Sequence, residues 1–358
     1  MKYLEENKYK VLTIGPDYRT IHGGVVAVMS TYADYSKDFK FMPTYSSENN
    51  IINVLMYPVL LAKILIFLLL NKNYKIVHIH GSSKISAYRK YVVFLAIKYI
   101  MRRKVIYHIH GSEYHIFFNN SKGIKKKIIQ HFIEESDGII CLSRQWKEFF
   151  VNNFNIKQIF ILNNIVPYPV EYDKDTHKDI NLLFLGGFWE RKGVFDLIEA
   201  LGECNKDTLQ KVKLKIGGEG DIEKLNSMVS QYNLENNVDF LGWITGDDKK
   251  KVLINSDVFV LPSHNEGLPI SILEAMSYKL PILTTDVGGI PEVVDDHTNG
   301  IVVKAGDIEA IKNAIEFFAA NPQKSIDYGE VSFDRVKEFL PKKVIEDLEK
   351  IYEIVGNY

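Results

Sequence analysis

The sequence predicts an α/β protein built from two doubly wound, Rossmann-like domains facing across a cleft, and three observations carry that expectation. Short β-branched apolar runs alternate with longer amphipathic stretches from one end to the other. A proline-containing break interrupts the alternation near the midpoint. At 358 residues the chain is also too long for one ordinary α/β core.

Strand candidates before the break are Lys10–Gly15, Ile76–His80, Val105–His110 and Gly138–Leu142. After it come Leu182–Leu185, Val212–Ile216, Val238–Leu241, Val258–Leu261 and Ile282–Thr284. Their nearly continuous apolar character suits parallel strands covered on both faces. Helical periods lie between them, as in Val194–Glu203, Asp221–Tyr232 and Asp307–Ala320. The break, Asn163-Asn-Ile-Val-Pro-Tyr-Pro-Val-Glu-Tyr-Asp173, has no helical period and reads as a linker. The expected domains are therefore residues 1–165 and 166–340. A last helix, residues 341–358, fits against either, and periodicity does not choose.

Composition is that of a soluble globular protein, 46% hydrophobic and 25% charged. The N-terminus, MKYLEENKYKVLTIG, lacks the apolar run and cleavage site of a signal peptide. Cys141 and Cys204 are far apart and near no histidine cluster, which argues against a disulfide framework or a zinc site and for a reducing cytoplasm.

A net charge of −1 conceals an asymmetry. Residues 51–133 hold 14 basic side chains and one acid, Glu113, so the segment is +13. That imbalance implies an anionic partner, either nucleic acid or an anionic membrane. No nucleic-acid module is visible, and nucleic acid is set aside. The same segment contains the apolar stretches Val54–Leu70 and Tyr91–Met101. The first is a little short for a bilayer span and is interrupted by Pro58 and Lys63. A buried core helix accounts for much of its apolarity, but apolar helices flanked by Lys and Arg also lie in anionic interfaces. The expectation is a cytoplasmic protein, peripheral on the inner face of the plasma membrane.

Ligands of open α/β sheets sit beyond the carboxyl ends of the strands, which makes three strand-to-helix loops informative. The longest is Val258-Phe-Val-Leu-Pro-Ser-His-Asn-Glu-Gly-Leu-Pro-Ile-Ser-Ile-Leu-Glu-Ala-Met276. A helix is expected to begin near Leu268 with Pro269 in its first turn, its free N–H groups offering an anion site beside Gly267. Glu266 precedes that helix and Glu274 lies in its second turn, so both carboxylates can meet one ligand. As isolated residues they would read as a dipole-favouring glutamate and a surface glutamate. The second loop, Leu182-Leu-Phe-Leu-Gly-Gly-Phe-Trp-Glu-Arg-Lys-Gly193, places Arg191 and Lys192 between a strand end and a helix start. That setting suits phosphate, although adjacent basic residues are commonly just an exposed pair.

The joint pattern resembles the donor-site signature of retaining glycosyltransferase family 4, a two-Rossmann-domain family of the GT-B type. The resemblance continues through Lys215–Asp221, Val238–Ile244 and Asp286–Glu292, covering nearly all of residues 182–307. It implies that Glu274 holds the ribose hydroxyls and Glu266 the donor sugar. Trp243 and Ile244 would hold the nucleotide base; a core or interface aromatic is the other reading of Trp243. The family usually carries Gly-Arg before its Lys-Gly, whereas this chain has Gly187 where the arginine is expected. Arg191 would supply the missing charge beside Lys192-Gly193.

In the first domain, Ile21-His-Gly-Gly-Val25 matches the family's glycine-rich loop, with Gly23 and Gly24 admitting phosphate or acceptor; a tight turn is the alternative. The resemblance points to His110 as the histidine near the reacting carbon. His108 and His110 share a side of the strand, so spacing alone does not separate them. His78 and His80, one strand earlier, read as structural or acceptor-side residues.

Asp247-Asp248 and Asp295-Asp296 look like helix-start and turn residues, so no metal site is expected and no cofactor beyond a nucleotide-diphosphate sugar. The expected reaction is metal-independent, retaining transfer to a hydroxyl of a carbohydrate or lipid-linked acceptor, in bacterial surface polysaccharide or glycolipid assembly. Its charges come from Arg191, Lys192 and the helix start near Leu268. A two-domain nucleotide-sugar epimerase would use the same donor residues without transfer, and a non-catalytic partner with a decayed site would not turn the donor over.

Overall fold

A computed structural model describes residues 9–47, 49–170 and 179–358. Part of the expected linker, residues 171–173, lies outside them. The chain divides into two compact units, Met1–Pro167 with Phe339–Tyr358, and Tyr168–Glu338.

In the first unit the strands are β1 Lys10–Pro16, β2 Lys40–Tyr45, β3 Tyr74–Gly81, β4 Lys104–Ile109, β5 Gly138–Cys141 and β6 Ile159–Ile161. They form one parallel sheet in the order β2-β1-β3-β4-β5-β6. Leu12, Ile14, Val77, Ile79, Val105, Tyr107 and Ile139 fill its buried faces against Ile64, Leu68, Phe94 and Phe132. Each fully buried aliphatic or aromatic side chain contributes about 1.5–3 kcal/mol. The final helix, Pro341–Asn357, belongs to this unit. Tyr352 on it reaches His78 Nδ1 at 2.8 Å, and Lys104 Nζ donates to the Val355 carbonyl at 3.1 Å.

The apolar Val54–Leu70 stretch departs from its expected burial. An unbroken helix runs Asn50–Leu70 through Pro58, which lies inside it. Asn49 caps its start by accepting from the amides of Ile51 and Ile52. A narrow stripe, Leu60, Ile64 and Leu68, is buried on the unit. The rest is open: Ile51, Val54 and Leu55 are each more than 70% exposed, and Leu70 is 78% exposed. Residues Ile51–Leu70 have a mean hydropathy of 2.3 and are long and apolar enough to cross a membrane. Neither Pro58 nor Lys63 interrupts the helix, and a core helix does not describe it. Tyr91–Met101 is helical through Leu95 and closes in a π turn, Ala96–Ile100.

The second unit contains β7 Ile180–Leu185, β8 Val212–Gly217, β9 Val238–Gly242, β10 Val258–Leu261, β11 Ile282–Thr285 and β12 Gly300–Val303. Their order is β12-β11-β10-β7-β8-β9, again parallel throughout. Counted from β7, this is the 3-2-1-4-5-6 order of dinucleotide-binding folds. The order of strand addition reverses between β7 and β10, the two central strands, and the loops leaving that pair run to opposite faces and open a crevice.

The strands that sequence patterning missed, β2, β6 and β12, are all sheet edges. Edge strands are covered less completely, so they need no continuous apolar run. β2 even contains Pro43, which an edge tolerates because one side of its backbone has no partner.

Candidate active site

The loops after β7 and β10 carry the charged residues singled out in the sequence, and both leave the switch point of the second sheet. After β7, a short 3₁₀ turn, Glu190–Lys192, presents Arg191 and Lys192. Gly193 follows with φ 68°, and a Cβ there would lie 1.9 Å from the Pro262 carbonyl oxygen. Only glycine allows this close crossing of the two loops. The crossing is tied by the His264 amide, which donates to the Arg191 carbonyl at 2.9 Å.

Lys192 Nζ donates to Glu266 Oε1 at 2.5 Å, and Ser263 Oγ donates to the same oxygen at 2.8 Å. Arg191 Nη1 lies 3.8 Å from Glu266 Oε2 and donates to the Asn265 carbonyl at 2.9 Å. Glu266 is 5% exposed, so its carboxylate depends on these partners. The loop is backed by β11: Thr285 Oγ1 donates to the Ser263 carbonyl at 2.5 Å, and the Gly289 amide donates to the Gly267 carbonyl at 2.6 Å.

The helix after β10 spans Ile270–Ser277, with Pro269 as its cap rather than in its first turn. Leu268 and Pro269 are buried and hold the helix start against the unit. Glu274, in the second turn, accepts from Lys249 on the helix Gly246–Ile254. The two glutamates are thus each neutralised by a lysine from another element. The two functional-looking residues that sequence reading missed are Ser263 and Lys249. Ser263 had a signal in the Pro262-Ser263 turn; Lys249, 25 residues before Glu274, had none.

Gly187, where the family's arginine is expected, is covered by Trp189: a Cβ there would fall 1.9 Å from the indole Nε1. A side chain at 187 has no room unless that ring moves. Trp243 is 44% exposed, so it is not a core aromatic. Ile244, partly buried beside it, packs over Gly217 at the end of β8. Asp247 and Asp248 occupy the first helical turn and pair with Lys250 and Lys251.

In the first unit, Gly23 caps the helix Gly24–Tyr35 that follows β1. His110 stands just past β4, and the His108 and His110 rings stack with centroids 4.0 Å apart, sharing a side of the strand. His110 Nε2 meets His80 Nδ1 at 2.9 Å. Burial, reinforced by the Lys90 charge, pushes the His110 pKa down to about 3. His110 is therefore a neutral imidazole at physiological pH, one nitrogen donating and one accepting.

Comparison with known proteins gives a consistent assignment. Residues 172–333 match the family model for glycosyl transferases group 1, and residues 2–167 match that for glycosyltransferase family 4. An uncharacterized glycosyltransferase of Methanocaldococcus jannaschii is 28% identical over 247 residues, 68% of this chain and 67% of that protein. The UDP-Gal:alpha-D-GlcNAc-diphosphoundecaprenol alpha-1,3-galactosyltransferase of Escherichia coli is 27% identical over 310 residues, 80% of this chain and 76% of that one. Among solved structures, HepE of Anabaena in complex with UDP-glucose superposes with a TM-score of 0.76 at 16% identity, over 97% of this chain and 99% of that one.

Proposed function

We propose, from the premise that the chain belongs to the glycosyl transferases group 1 family and is a GT-B glycosyltransferase, that it transfers a sugar from a nucleotide-diphosphate donor with retention of configuration. The observation that carries the proposal is the convergence of Lys192, Arg191, Ser263 and Glu266 at the switch point of the second sheet. A donor has a negative diphosphate next to a polyhydroxyl sugar. A lysine and a carboxylate held side by side complement those two parts.

On donor binding, Lys192 Nζ and Arg191 turn to the diphosphate oxygens, and Glu266 accepts from sugar hydroxyls. Glu274 accepts from the ribose hydroxyls in place of Lys249. In the reaction, the bond from the anomeric carbon to the β-phosphate oxygen breaks. The acceptor oxygen bonds to that carbon from the same face, and its proton passes to the leaving phosphate. Arg191, Lys192 and the amides opening Ile270–Ser277 stabilise the developing phosphate charge without a metal ion. Glu266 positions and does not attack. His110 and the Gly23–Gly24 loop, in the other unit, take their donor-side roles from the family resemblance.

The acceptor is proposed to be a carbohydrate or lipid-linked hydroxyl in bacterial surface polysaccharide or glycolipid assembly, reached at the cytoplasmic face of the plasma membrane. The exposed apolar helix Asn50–Leu70 and the +13 segment around it support this setting. The name of the E. coli relative, with its diphosphoundecaprenol acceptor, supports it as well. The test is a thermal-shift screen of UDP-, GDP- and ADP-sugars, followed by transfer assays without added Mg²⁺ or Mn²⁺. One donor should raise the melting temperature and be transferred, because a ligand that binds the native state stabilises it by mass action. Epimerised donor without transfer would favour a nucleotide-sugar epimerase, and no donor response at all would refute both.

A further inference from the structure

The sequence argued against a zinc site because neither cysteine has a histidine near it. The fold assembles a different ligand set, made only of histidines. His78 and His80 lie on β3 and His108 on the adjacent β4, with His80 and His108 opposite each other in register. All three side chains are buried, and each offers a ring nitrogen within 4.8 Å of the others.

Their hydrogen bonding is incomplete. Among the described residues, His80 Nε2 and His108 Nε2 are buried with no hydrogen-bond partner, as is Tyr32 Oη, whose ring lies edge-on to His80. An unsatisfied buried polar atom costs about 1–3 kcal/mol, so several in one place call for an explanation. The contact between His78 Nε2 and His108 Nδ1 is 3.3 Å, long for an N–H···N bond. Two imidazole nitrogens bound tetrahedrally to one zinc, each about 2.0–2.1 Å from it, lie roughly 3.4 Å apart. That makes His108 Nδ1 the ligating atom beside His78 Nε2, so that of the orphaned nitrogens the ion satisfies His80 Nε2.

We propose that His78, His80 and His108 bind a borderline divalent metal ion of the zinc class inside the first sheet. An all-imidazole set selects zinc, copper, cobalt or nickel over the oxygen-loving magnesium and calcium. Metal ligation needs free imidazole lone pairs, and the full burial of all three rings disfavours their charged form.

The surrounding partners suit metal-bound histidines, whose second nitrogen is normally hydrogen-bonded. Tyr352 Oη holds His78 Nδ1, leaving Nε2 for the ion. His110 Nε2 holds His80 Nδ1, leaving the orphaned Nε2. The pocket lined by Thr13, Tyr32, His78, His80 and Tyr352 adjoins two of the three histidines and would be the source of a water as fourth ligand. Binding at His80 Nε2 puts the ring proton on Nδ1, pointing at His110 Nε2. The ion would thereby fix the tautomer of His110, with its proton on Nδ1. The site itself does not depend on the transferase reading.

The test uses the untagged full chain, purified after growth with zinc and assayed for metal by mass spectrometry. About one zinc per chain is expected. Stripped protein titrated with Co²⁺ should take up one equivalent and develop the visible absorption of a tetrahedral cobalt site. His80→Ala and His108→Ala should lose that uptake, whereas His110→Ala, outside the ligand set, should keep it. Should the two ligand variants fail to fold by circular dichroism, the cobalt titration of the wild type decides alone. Folded wild type that neither retains a metal nor takes one up saturably from Zn²⁺, Co²⁺, Ni²⁺ or Cu²⁺ overturns the proposal. Equal stoichiometric uptake by folded His80→Ala and His108→Ala overturns it too.

Discussion

Lys192 Nζ and Glu266 Oε1, 74 residues apart in the chain, meet at 2.5 Å across the switch point of the second sheet. Glu274 and Lys249 make the equivalent contact one turn into the following helix. Each of these carboxylates is held by a lysine of opposite charge. The proposed donor site would therefore exchange ion pairs on binding instead of uncovering bare charges, and the protein does not carry an uncompensated carboxylate at Glu266.

Lys192→Ala and Glu274→Ala should each weaken donor use, measured as kcat/KM, by about 10- to 100-fold. Charge-assisted hydrogen bonds are worth roughly 1.5–3 kcal/mol. Lys192→Ala should also lower the melting temperature more than Glu274→Ala, because it strands the buried Glu266. Glu274 is less enclosed, and its loss leaves Lys249 free to reach solvent. Near-normal turnover in both folded variants would remove these residues from the site.

Gly288→Ala should impair the same site without touching a charged group. Gly288 has φ 60°, and an added Cβ would lie 2.0 Å from the Glu266 carbonyl oxygen. The methyl must push the Glu266–Gly267 backbone away from β11. Strain at such a position costs on the order of 1–3 kcal/mol, and the displaced carboxylate should raise KM for the donor. A variant with unchanged melting temperature and unchanged KM would show that this loop tolerates displacement.

Lys90→Met should stabilise the protein, and more so at low pH. Lys90 is 1% exposed, with Ser86 Oγ accepting from its ammonium at 2.9 Å. Burial, with help from the Arg89 charge, pushes its pKa down to about 7. The unfolded chain holds this proton more tightly than the native state. The resulting penalty is complete below pH 7 and fades as pH rises toward 10.5, the ordinary lysine value. One pKa unit corresponds to about 1.4 kcal/mol, so the fall from 10.5 to about 7 sets the gain at pH 6 at about 5 kcal/mol at most, dropping to about 2 kcal/mol by pH 9. Chemical denaturation at the two pH values measures it, and a gain independent of pH would contradict the burial argument.

The sequence was most legible where burial is complete. The central strands β1, β3, β4, β7, β10 and β11 are covered on both faces and are largely apolar, whereas β8 alternates, with Lys213 and Lys215 on its less buried face. The meeting of Lys192 with Glu266 was legible because strand-end loops have a fixed relation to a parallel sheet. Long-range pairing was not. Lys249 meets Glu274 through the packing of two helices, and no local pattern records that. The histidine cluster was half visible: alternation put His78 with His80 and His108 with His110, but only the β3–β4 register brought the pairs together. The helix Asn50–Leu70 misled for another reason. Apolar composition reports that a helix avoids water and says nothing about which neighbour covers it.

That helix carries the last prediction. A contiguous exposed apolar surface of this kind marks an interaction site. The anionic partner is argued from charge: Lys122, Lys125 and Lys127 are exposed, and only Glu113 offsets the segment's positive charge. Each basic residue close to an anionic leaflet adds about 1 kcal/mol, within roughly a Debye length. The protein should sediment with anionic liposomes at low salt, less so as salt rises, and less with neutral liposomes throughout. Reversing Arg102–Lys104 would be a poor probe, since Arg103 Nη2 donates to the Leu68 carbonyl and Lys104 Nζ to that of Val355. Lys122, Lys125 and Lys127 changed to Glu should lower binding at low salt and flatten its dependence on salt, while Val54 and Leu55 changed to Ser should weaken binding at every salt concentration. Donor hydrolysis should persist in both variants, because none of the five changed residues is among those proposed to hold the donor. If the wild type ignores anionic liposomes at low salt, the exposed helix serves a protein partner and the acceptor is taken from solution.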